Sequence, residues 1–496
     1  MDVLFVFPTQ LFRSNENELL NEVNKIYIIE EPTYFTKLKF HKQKLILHRA
    51  SMKYYFDYLK KKDFNVQYIE FKRINDGFYK NIRNNIKSLK IYDPVDHDLL
   101  DKMKKIYSDK LIIYDTPSFI ESYEILKEYN KLIKENRYNH SHFYKWQRKR
   151  MNIFMNGDKP LFDLWSFDKF NRSPFSKQYI EKNKNPQLQN NEYIEEAIKY
   201  VEKYFSNNFG NTQNFIYPIR HIDADKLLND FINNKLKTFG IFEDAIHEDI
   251  IIGSHSMLSG LLNIGLLTPK YVLDKLLKKF NKLNKSEQKK IYPSIEGFVR
   301  QIIGWRSYVR LIYEFHGNEI MKMNRLKHNY SVSNKWYDGT TGLTPVDHMI
   351  KKAKDYAYLH HIERLMIMGN AFFLTRSDPY EVYKWFMITT IDSYDWVMIP
   401  NIWGMSQFAL ENIIMMKRPY FSSSNYIKKM SSGSNWNNEH EWAKIFDALY
   451  YSFINDNQKL LKSIYATANS VNIWNKKSNN EKKDLLIIAK KFIKSL

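Results

Sequence analysis

MDVLFVFPTQLF, residues 1–12, opens the chain with an apolar run from Val3 to Phe7 that stops at a proline and two polar residues, Thr9 and Gln10. The run has no basic lead and no small-residue cleavage site, so it reads as a first strand and not as a signal peptide. Residues 25–29, 65–71 and 110–114 repeat the pattern, with helical stretches such as 44–61 between them. This alternation predicts a parallel sheet covered by helices. Ligands of such folds sit beyond the carboxyl ends of the strands. That rule places Thr9, Gln10 and Leu11, after the first strand, and Glu30 and Glu31, after the second, at a candidate cleft; ordinary polar loops carry the same residues.

Outward from this region the pattern changes twice. Residues 135–191 are rich in Asn, Lys, Pro and Gly, with Trp146, Trp165, Phe167 and Phe170 scattered among them. Aromatic anchors in a polar stretch suggest a linker laid over the surface and pinned at intervals. From residue 192 onward apolar residues recur with a period of 3.6, notably over 259–267, 271–280, 295–315, 346–373 and 447–464. The fold class is therefore α/β plus all-α: a Rossmann-like parallel α/β domain over residues 1–134, an interdomain linker over 135–191 and an all-helical domain over 192–496.

The 496 residues suffice for two cores. Lys and Arg number 76 against 55 Asp and Glu, a formal charge of +21 that favours a polyanionic partner through counterion release. Nucleic acid leads, an anionic membrane surface follows, and a cationic surface reflecting codon bias is the plain alternative. The chain has no cysteine, which excludes disulfides, thiol catalysis and metal held by thiolate. No apolar segment approaches the roughly 20 residues of a bilayer span, so a soluble, cytoplasmic protein is expected.

Three polar clusters interrupt the apolar helices. In FGIFEDAIHEDIIIGSHSMLSGLLNIGLLTP (239–269), His255, Ser256 and Ser259 precede an apolar helix. Hydroxyls and free backbone donors there suit a phosphate, and simple capping suits the serines equally. In IEGFVRQIIGWRSYVRLIYEFHG (295–317), Arg300, Gln301, Trp305 and Arg306 recur at helical spacing. They suit a planar anionic ligand held by stacking and forked hydrogen bonds, or a solvated edge. In YAYLHHIERLMIMGN (356–370) and TTIDSYDWVMIPNIWGM (389–405), Arg364 and Asp392 stand in apolar surroundings, where an unpaired charge is costly. They are expected to face one another, as a structural pair or as part of a site.

Two metal readings are weaker. His360 and His361 are adjacent, and on a helix they diverge by about 100° and chelate poorly. Asp244 and His247 have the spacing of dimetal bundles, beside Glu243 and Glu248, but no second such helix is present. No metal is expected.

Taken together, these stretches resemble the bacterial (6-4) photolyases, photolyase-related proteins that normally carry a 4Fe–4S cluster. The resemblance runs through EEPTYFTKLKFHKQKLILHRASM (30–52), QRKRMNIFMNGDKP (147–160), WSFDKFNRSP (165–174), FGIFEDAIHEDIIIGSHSMLS (239–259), EGFVRQIIGWRSYVR (296–310), HHIERLM (360–366) and WVMIPNIWGMSQFA (396–409). It implies the photolyase/cryptochrome fold, with FAD in the helical domain and an antenna chromophore, a ribityl-lumazine in relatives, in the α/β domain. The implied activity is light-driven electron transfer from reduced FAD to the (6-4) lesion of ultraviolet-damaged DNA, by a monomer.

On this resemblance His255, Ser256 and Ser259 contact the FAD phosphates, and Glu296, Arg300 and Gln301 line the cofactor. Arg364 and Asp392 flank its redox-active edge. His361, then His360, moves a proton to the lesion, and Tyr420 faces it. Gln10 and Glu31 match antenna positions, while Thr9 replaces an acid.

Departures accompany the match. Trp385 matches the tryptophan nearest the flavin in a photoreduction chain, but Tyr337 stands where relatives carry Trp and Phe386 where they carry Tyr. Trp336 or Trp396 is available as a substitute. Met398 takes the place of a glutamate near flavin N5. The cluster cysteines align with Pro345, Ser434, Asn437 and Lys444, and the region after Tyr420 is shortened. No iron–sulfur cluster is expected, with packing such as that of Trp436 in its place. The resemblance leaves open a cryptochrome-like blue-light photoreceptor and a cyclobutane pyrimidine dimer photolyase.

Overall fold

The computed structural model describes residues 1–168 and 171–496; Phe170, expected to pin the linker, lies outside the described residues. Strands β1 (Asp2–Val6), β2 (Lys25–Ile29), β3 (Val66–Ile69), β4 (Ser88–Tyr92) and β5 (Leu111–Tyr114) form one parallel sheet in the order β3-β2-β1-β4-β5. Val3 to Val6 are buried, which is why the central strand reads as a continuous apolar run. Strand β4 is absent from the sequence reading. Leu89 and Ile91 face inward, but Lys90 between them reaches an ion pair with Glu22 at 2.6 Å and breaks the apolar signal.

The strand order reverses between β1 and β4, so the loop carrying Thr9 and Gln10 lies at the switch point. The helix Lys42–Lys60 covers one face of the sheet and carries Arg49. Its buried guanidinium binds Glu30 at 2.7 Å, Glu70 at 3.0 Å and Glu196 at 2.6 Å. Glu30 also accepts from Tyr68, Tyr200 and the Phe71 amide. Every acceptor position of this carboxylate is thus committed to joining the sheet to the helix Glu192–Tyr204. Glu30 is structural, and no ligand role remains for it.

Residues 135–191 are more than a surface strap. They contain the helix His140–Met151, in which Gln147 and Arg148 are fully buried. Arg148 donates to the carbonyls of Ile153, Phe154 and Trp165 and to the Tyr292 hydroxyl, so one guanidinium gathers the whole segment onto the helical half. A buried cation this well satisfied holds a segment that its polar composition alone would leave loose.

The rest is helical, with breaks that periodicity does not show. The run 295–315 is a helix, Lys285–Val299, a π-helical segment, Arg300–Arg306, and a second helix, Ser307–Ile320. The run 346–373 is not one helix: Thr344–Tyr356 ends at Ala357, whose φ is +51°, and helical structure resumes as the π-segment Glu363–Gly369 and the helix Asn370–Leu374. The helix predicted over 259–267 spans only Ser259–Asn263. Among the described residues no helix is long and apolar enough to cross a membrane.

Candidate functional site

Three π-helical segments converge on one cavity of about 340 Å³ in the helical half. Gln301, Ile302 and Arg306 come from the first, Arg364 and Leu365 from the second, and Asn401, Ile402 and Ser406 from the third, Pro400–Ser406. A π-turn widens a helix by one residue and re-aims the side chains on one face, a device common at functional sites. Each segment contains a glycine. A Cβ on Gly369 would lie 2.5 Å from the Ser406 hydroxyl and 2.8 Å from the Arg364 carbonyl, so only glycine lets the second and third segments approach.

His255, Ser256, Ser259, Gln301, His360, His361, Arg364, Asp392 and Met398 all line this cavity. Arg364 and Asp392 do pair, at 2.7 Å, and Arg364 also donates to the Leu359 carbonyl. Burial resists charging Asp392, but Arg364 and the Ser259 hydroxyl outweigh it and hold the carboxyl below its ordinary range.

The break at Ala357 puts His360 and His361 at a helix start, not on a helical face, so the expected angular divergence does not govern them. The His360 ring stacks on His255, centroids 4.3 Å apart and planes within 12°, while His361 meets His255 edge-on at 5.5 Å. His255, His360 and His361 each bring one ring nitrogen within 4.8 Å of the others, a spacing that a metal ion could bridge.

The two neighbours differ electrically. His360 lies in a buried network: its amide donates to Glu363 at 2.9 Å, its Nδ1 accepts from the Ile362 amide, and its Nε2 stands 3.4 Å from Glu363, which Lys352 binds at 2.6 Å. Burial first, then His255 and Lys352, push this imidazole well below its ordinary range, so it is neutral. His361 is 48% exposed at the cavity wall, with Nε2 3.8 Å from Asp244. Burial works against its charge, but the Asp244 contact and the field of Glu243 overcome that and raise it. Tyr426 donates to Asp244 at 3.1 Å and fixes that carboxylate.

Glu296 and Arg300 do not line the cavity. Glu296 accepts from Tyr144 and the Phe167 amide, and Arg300 binds Asp168 at 3.1 Å behind the wall. Glu296 and Arg300 face each other at 3.4 Å, and Tyr144, Phe167 and Asp168 of the linker complete their surroundings. Tyr420 also stands outside the lining, under Arg418 at 5.5 Å. The metal reading of Glu243, Asp244, His247 and Glu248 loses its helix, since residues 240–253 are turns. Glu243 instead accepts from Asn171 and Gln301.

Trp385 is fully buried one ring behind the cavity, edge-on to the lining residue Phe386 at 5.0 Å. Its indole donates to the Trp336 carbonyl at 2.7 Å, and Phe372 bridges the two indoles, stacked on Trp336 at 4.2 Å. Tyr337 lies next along, against Phe209. Trp396 sits on the other side, packed on Phe119 and Arg306.

Gln10 and Trp396 line a second space of about 20 Å³ at the switch point, room for about one water. Gln10 donates to the Tyr92 carbonyl and accepts from the Phe7 amide. Glu31 does not reach this crevice and is held by Tyr79 and Lys102.

The positions aligned with cluster cysteines hold other structure. Pro345 begins the helix Thr344–Tyr356, and the Asn437 amide donates to the Ser431 carbonyl at 2.8 Å. The buried Trp436 donates its indole N–H to the Ser431 hydroxyl at 2.7 Å and accepts from Trp442 on its carbonyl. With no cysteine in the chain, a thiolate-held cluster has no ligands here.

A twisted parallel sheet joined to a helical body with one large cavity defines the photolyase/cryptochrome class of folds. Two solved structures match it over most of their length: a bacterial class III photolyase from Agrobacterium tumefaciens (TM-score 0.56, 14% identity, 100% of this chain and 98% of that one) and an archaeal photolyase from Sulfolobus tokodaii with two FAD molecules (TM-score 0.54, 12% identity, 90% of each). In sequence, a family profile described as deoxyribodipyrimidine photo-lyase-related protein matches residues 4–217. A (6-4) photolyase of Agrobacterium fabrum is 33% identical over 361 residues, 72% of this chain and 70% of its own length. This chain belongs to the photolyase-related family.

The cavity has the make-up of a ligand site. Its wall is mainly apolar, with a few convergent donors, Ser256, Ser259, Gln301, Asn401 and Arg364, the composition of a site for a large planar and partly anionic group.

Proposed function

We propose that this protein is a (6-4) photolyase that binds ultraviolet-damaged DNA and repairs the pyrimidine–pyrimidone lesion under blue light. The observation that carries this reading is the single wall on which the Arg364–Asp392 pair and the unlike pair His360 and His361 stand together. On this reading residues 192–496 hold FAD through Ser256, Ser259, Gln301, Arg364 and Asp392, and residues 1–134 are the α/β antenna part. When bound, FAD supplies light absorption and the electron given to the lesion.

The chain's own residues do the rest. Arg364 would offer a fixed cation, its charge balanced by Asp392, to the bound cofactor. Met398 presents an apolar, polarisable neighbour where an acid would exchange protons. The Asp244 contact favours the protonated form of His361: Nε2 faces Asp244, and Nδ1 is the nitrogen left to offer a hydrogen to the lesion. His360, neutral and committed on both nitrogens, positions the wall. Arg172 and Arg418, exposed beside Asp244 and Tyr420, add to the positive surface met by the phosphate backbone. Trp385, through Phe372 to Trp336, carries the hole outward.

The test is loss of (6-4) lesions from an irradiated oligonucleotide, followed chromatographically with reduced, FAD-loaded protein under blue light. Repair of cyclobutane dimers instead would reassign the substrate. A second reading, a cryptochrome-like receptor, is favoured by Phe386, which cannot be oxidised as tyrosine can. Tight binding of lesion DNA by reduced protein without repair would support it. The crevice at Gln10 holds about one water and Glu31 is bonded to Tyr79 and Lys102, so we assign no residues to an antenna chromophore.

A further inference from the structure

We propose that Arg306 steers light-driven electron transfer in this protein: its guanidinium holds Trp396 in the reduced form, so that Trp385 is the tryptophan that gives an electron to the cofactor. The inference rests on the photolyase reading and adds to it the residue that chooses between two routes.

Two tryptophans stand one residue behind the cavity wall. Trp385 lies behind the lining residue Phe386, edge-on at 5.0 Å. Trp396 lies behind the lining residue Arg306, whose guanidinium carbon is 4.8 Å from the indole centre. Arg306 borders both the large cavity and the small crevice, while Trp396 borders the crevice alone. The two indoles are alike in position and unlike in charge.

The Arg306 charge is not neutralised at contact. Its nitrogens donate to the Ser118 carbonyl at 3.2 Å, the Asn263 side-chain oxygen at 2.6 Å and the Leu262 carbonyl at 3.5 Å, all uncharged acceptors. Asp392 and Glu121 act on it as fields and not as hydrogen-bond partners. Burial first, then Arg310, push the group down to about 9, and it remains charged at neutral pH. Arg310 stands over the same Phe119 ring as Arg306, but Glu314 at 3.0 Å and Asp93 at 3.7 Å share its charge.

A cation over an indole favours the intact ring and repels the positive hole left when the ring loses an electron. At 4.8 Å and an effective dielectric constant of about 20, that repulsion disfavours a hole on Trp396 on the order of 100-fold. Trp385 has the opposite setting. Its indole N–H donates to the Trp336 carbonyl at 2.7 Å, an oxygen that carries partial negative charge. Its ring neighbours among the described residues are Phe372 and Phe386, with no cation over the indole. The step moves one electron: the photoexcited oxidised cofactor gains it, Trp385 loses it and is refilled from Trp336 past Phe372. A thiol in solution replaces the electron at the outer end of the route, releasing its proton and passing to the disulfide.

The test is the rate of blue-light reduction of the FAD-loaded protein with a thiol as reductant, followed by loss of the oxidised-flavin absorbance. Trp385→Phe should slow it, and adding Trp396→Phe should change nothing further, because Arg306 already closes that route. Adding Arg306→Met to Trp385→Phe should raise the rate about tenfold; Arg306→Lys, which keeps a cation, should not. Trp396→Phe should abolish the gain. A further fall when Trp396→Phe joins Trp385→Phe would overturn the proposal, as would a gain that survives the loss of Trp396, or no gain at all. Should Arg306→Met lose the cofactor, unfolding of the flavin-free full-length chain reads the pair directly. There a double-mutant cycle of Arg306→Met and Trp396→Phe should show coupling of about two- to tenfold in the unfolding equilibrium, and none would sink the idea. Folded wild-type protein that retains no flavin would remove the photolyase reading and this proposal with it, a result distinct from the wrong order of rates among flavin-bearing variants.

Discussion

Two spaces among the described residues differ in size by more than an order of magnitude, about 340 against 20 Å³, and in the polar groups that line them. At the switch point, Gln10 serves the backbone of its own sheet. Around the large cavity, the Arg364–Asp392 pair and His361, beside Asp244, bring charged and titratable groups to the wall. The difference teaches that a polar residue at a fold's habitual ligand position says little until its hydrogen bonds are counted.

The hardest blow to this contrast is Arg364→Ala. It leaves the buried Asp392 carboxylate without its partner, at a cost of about 3–5 kcal/mol, read as a fall in the unfolding midpoint together with lost flavin. Because the Asp392 carboxyl is held below its ordinary range, its stabilisation is present above the unfolded pKa of about 3.9. It is lost as pH falls through the folded value, so wild type and variant should converge in acid. An equal gap at pH 3 and pH 7 would show that the pair contributes through packing alone.

Asp244→Asn comes next. The raised His361 is charged below its folded pKa and loses its proton as pH rises through it. Removing the carboxylate lowers that value, so the alkaline limb of repair should move to lower pH, with activity at pH 8 down about 10- to 100-fold. A pH profile identical to wild type would remove Asp244 from the proton step.

Gln10→Ala sharpens the other side. It strips partners from the Tyr92 carbonyl and the Phe7 amide, at about 1–2 kcal/mol, and should leave the visible spectrum unchanged. A spectral loss without destabilisation would make the crevice a ligand site after all. The smallest effects separate the tryptophans: Trp336→Phe should slow flavin photoreduction in part, and Trp396→Phe, across the cavity from Trp385, should not change it. The reverse order would reroute the hole.

Much of this architecture is legible in the residue pattern. Four of the five strands, the helical second half and the Arg364–Asp392 pair follow from periodicity and from the cost of a lone buried charge. Strand β4 is hidden because Lys90 interrupts it, and the helix His140–Met151 because its polar residues are buried by specific bonds that composition does not encode. Asn401 and Ser406 escape a sequence reading as cavity residues; a lone glycine inside each apolar helical run, Gly304, Gly369 and Gly404, is the available signal.

The sequence by itself determined the fold class, the excess positive charge and the absence of thiolate chemistry, because these depend on residue type and local period. Tertiary structure alone decided which polar side chains face the cavity and which of two adjacent histidines is pushed up in pKa while the other is pushed down. Those properties are set by neighbours distant in sequence, Asp244 and Tyr426 for His361 and Lys352 for His360.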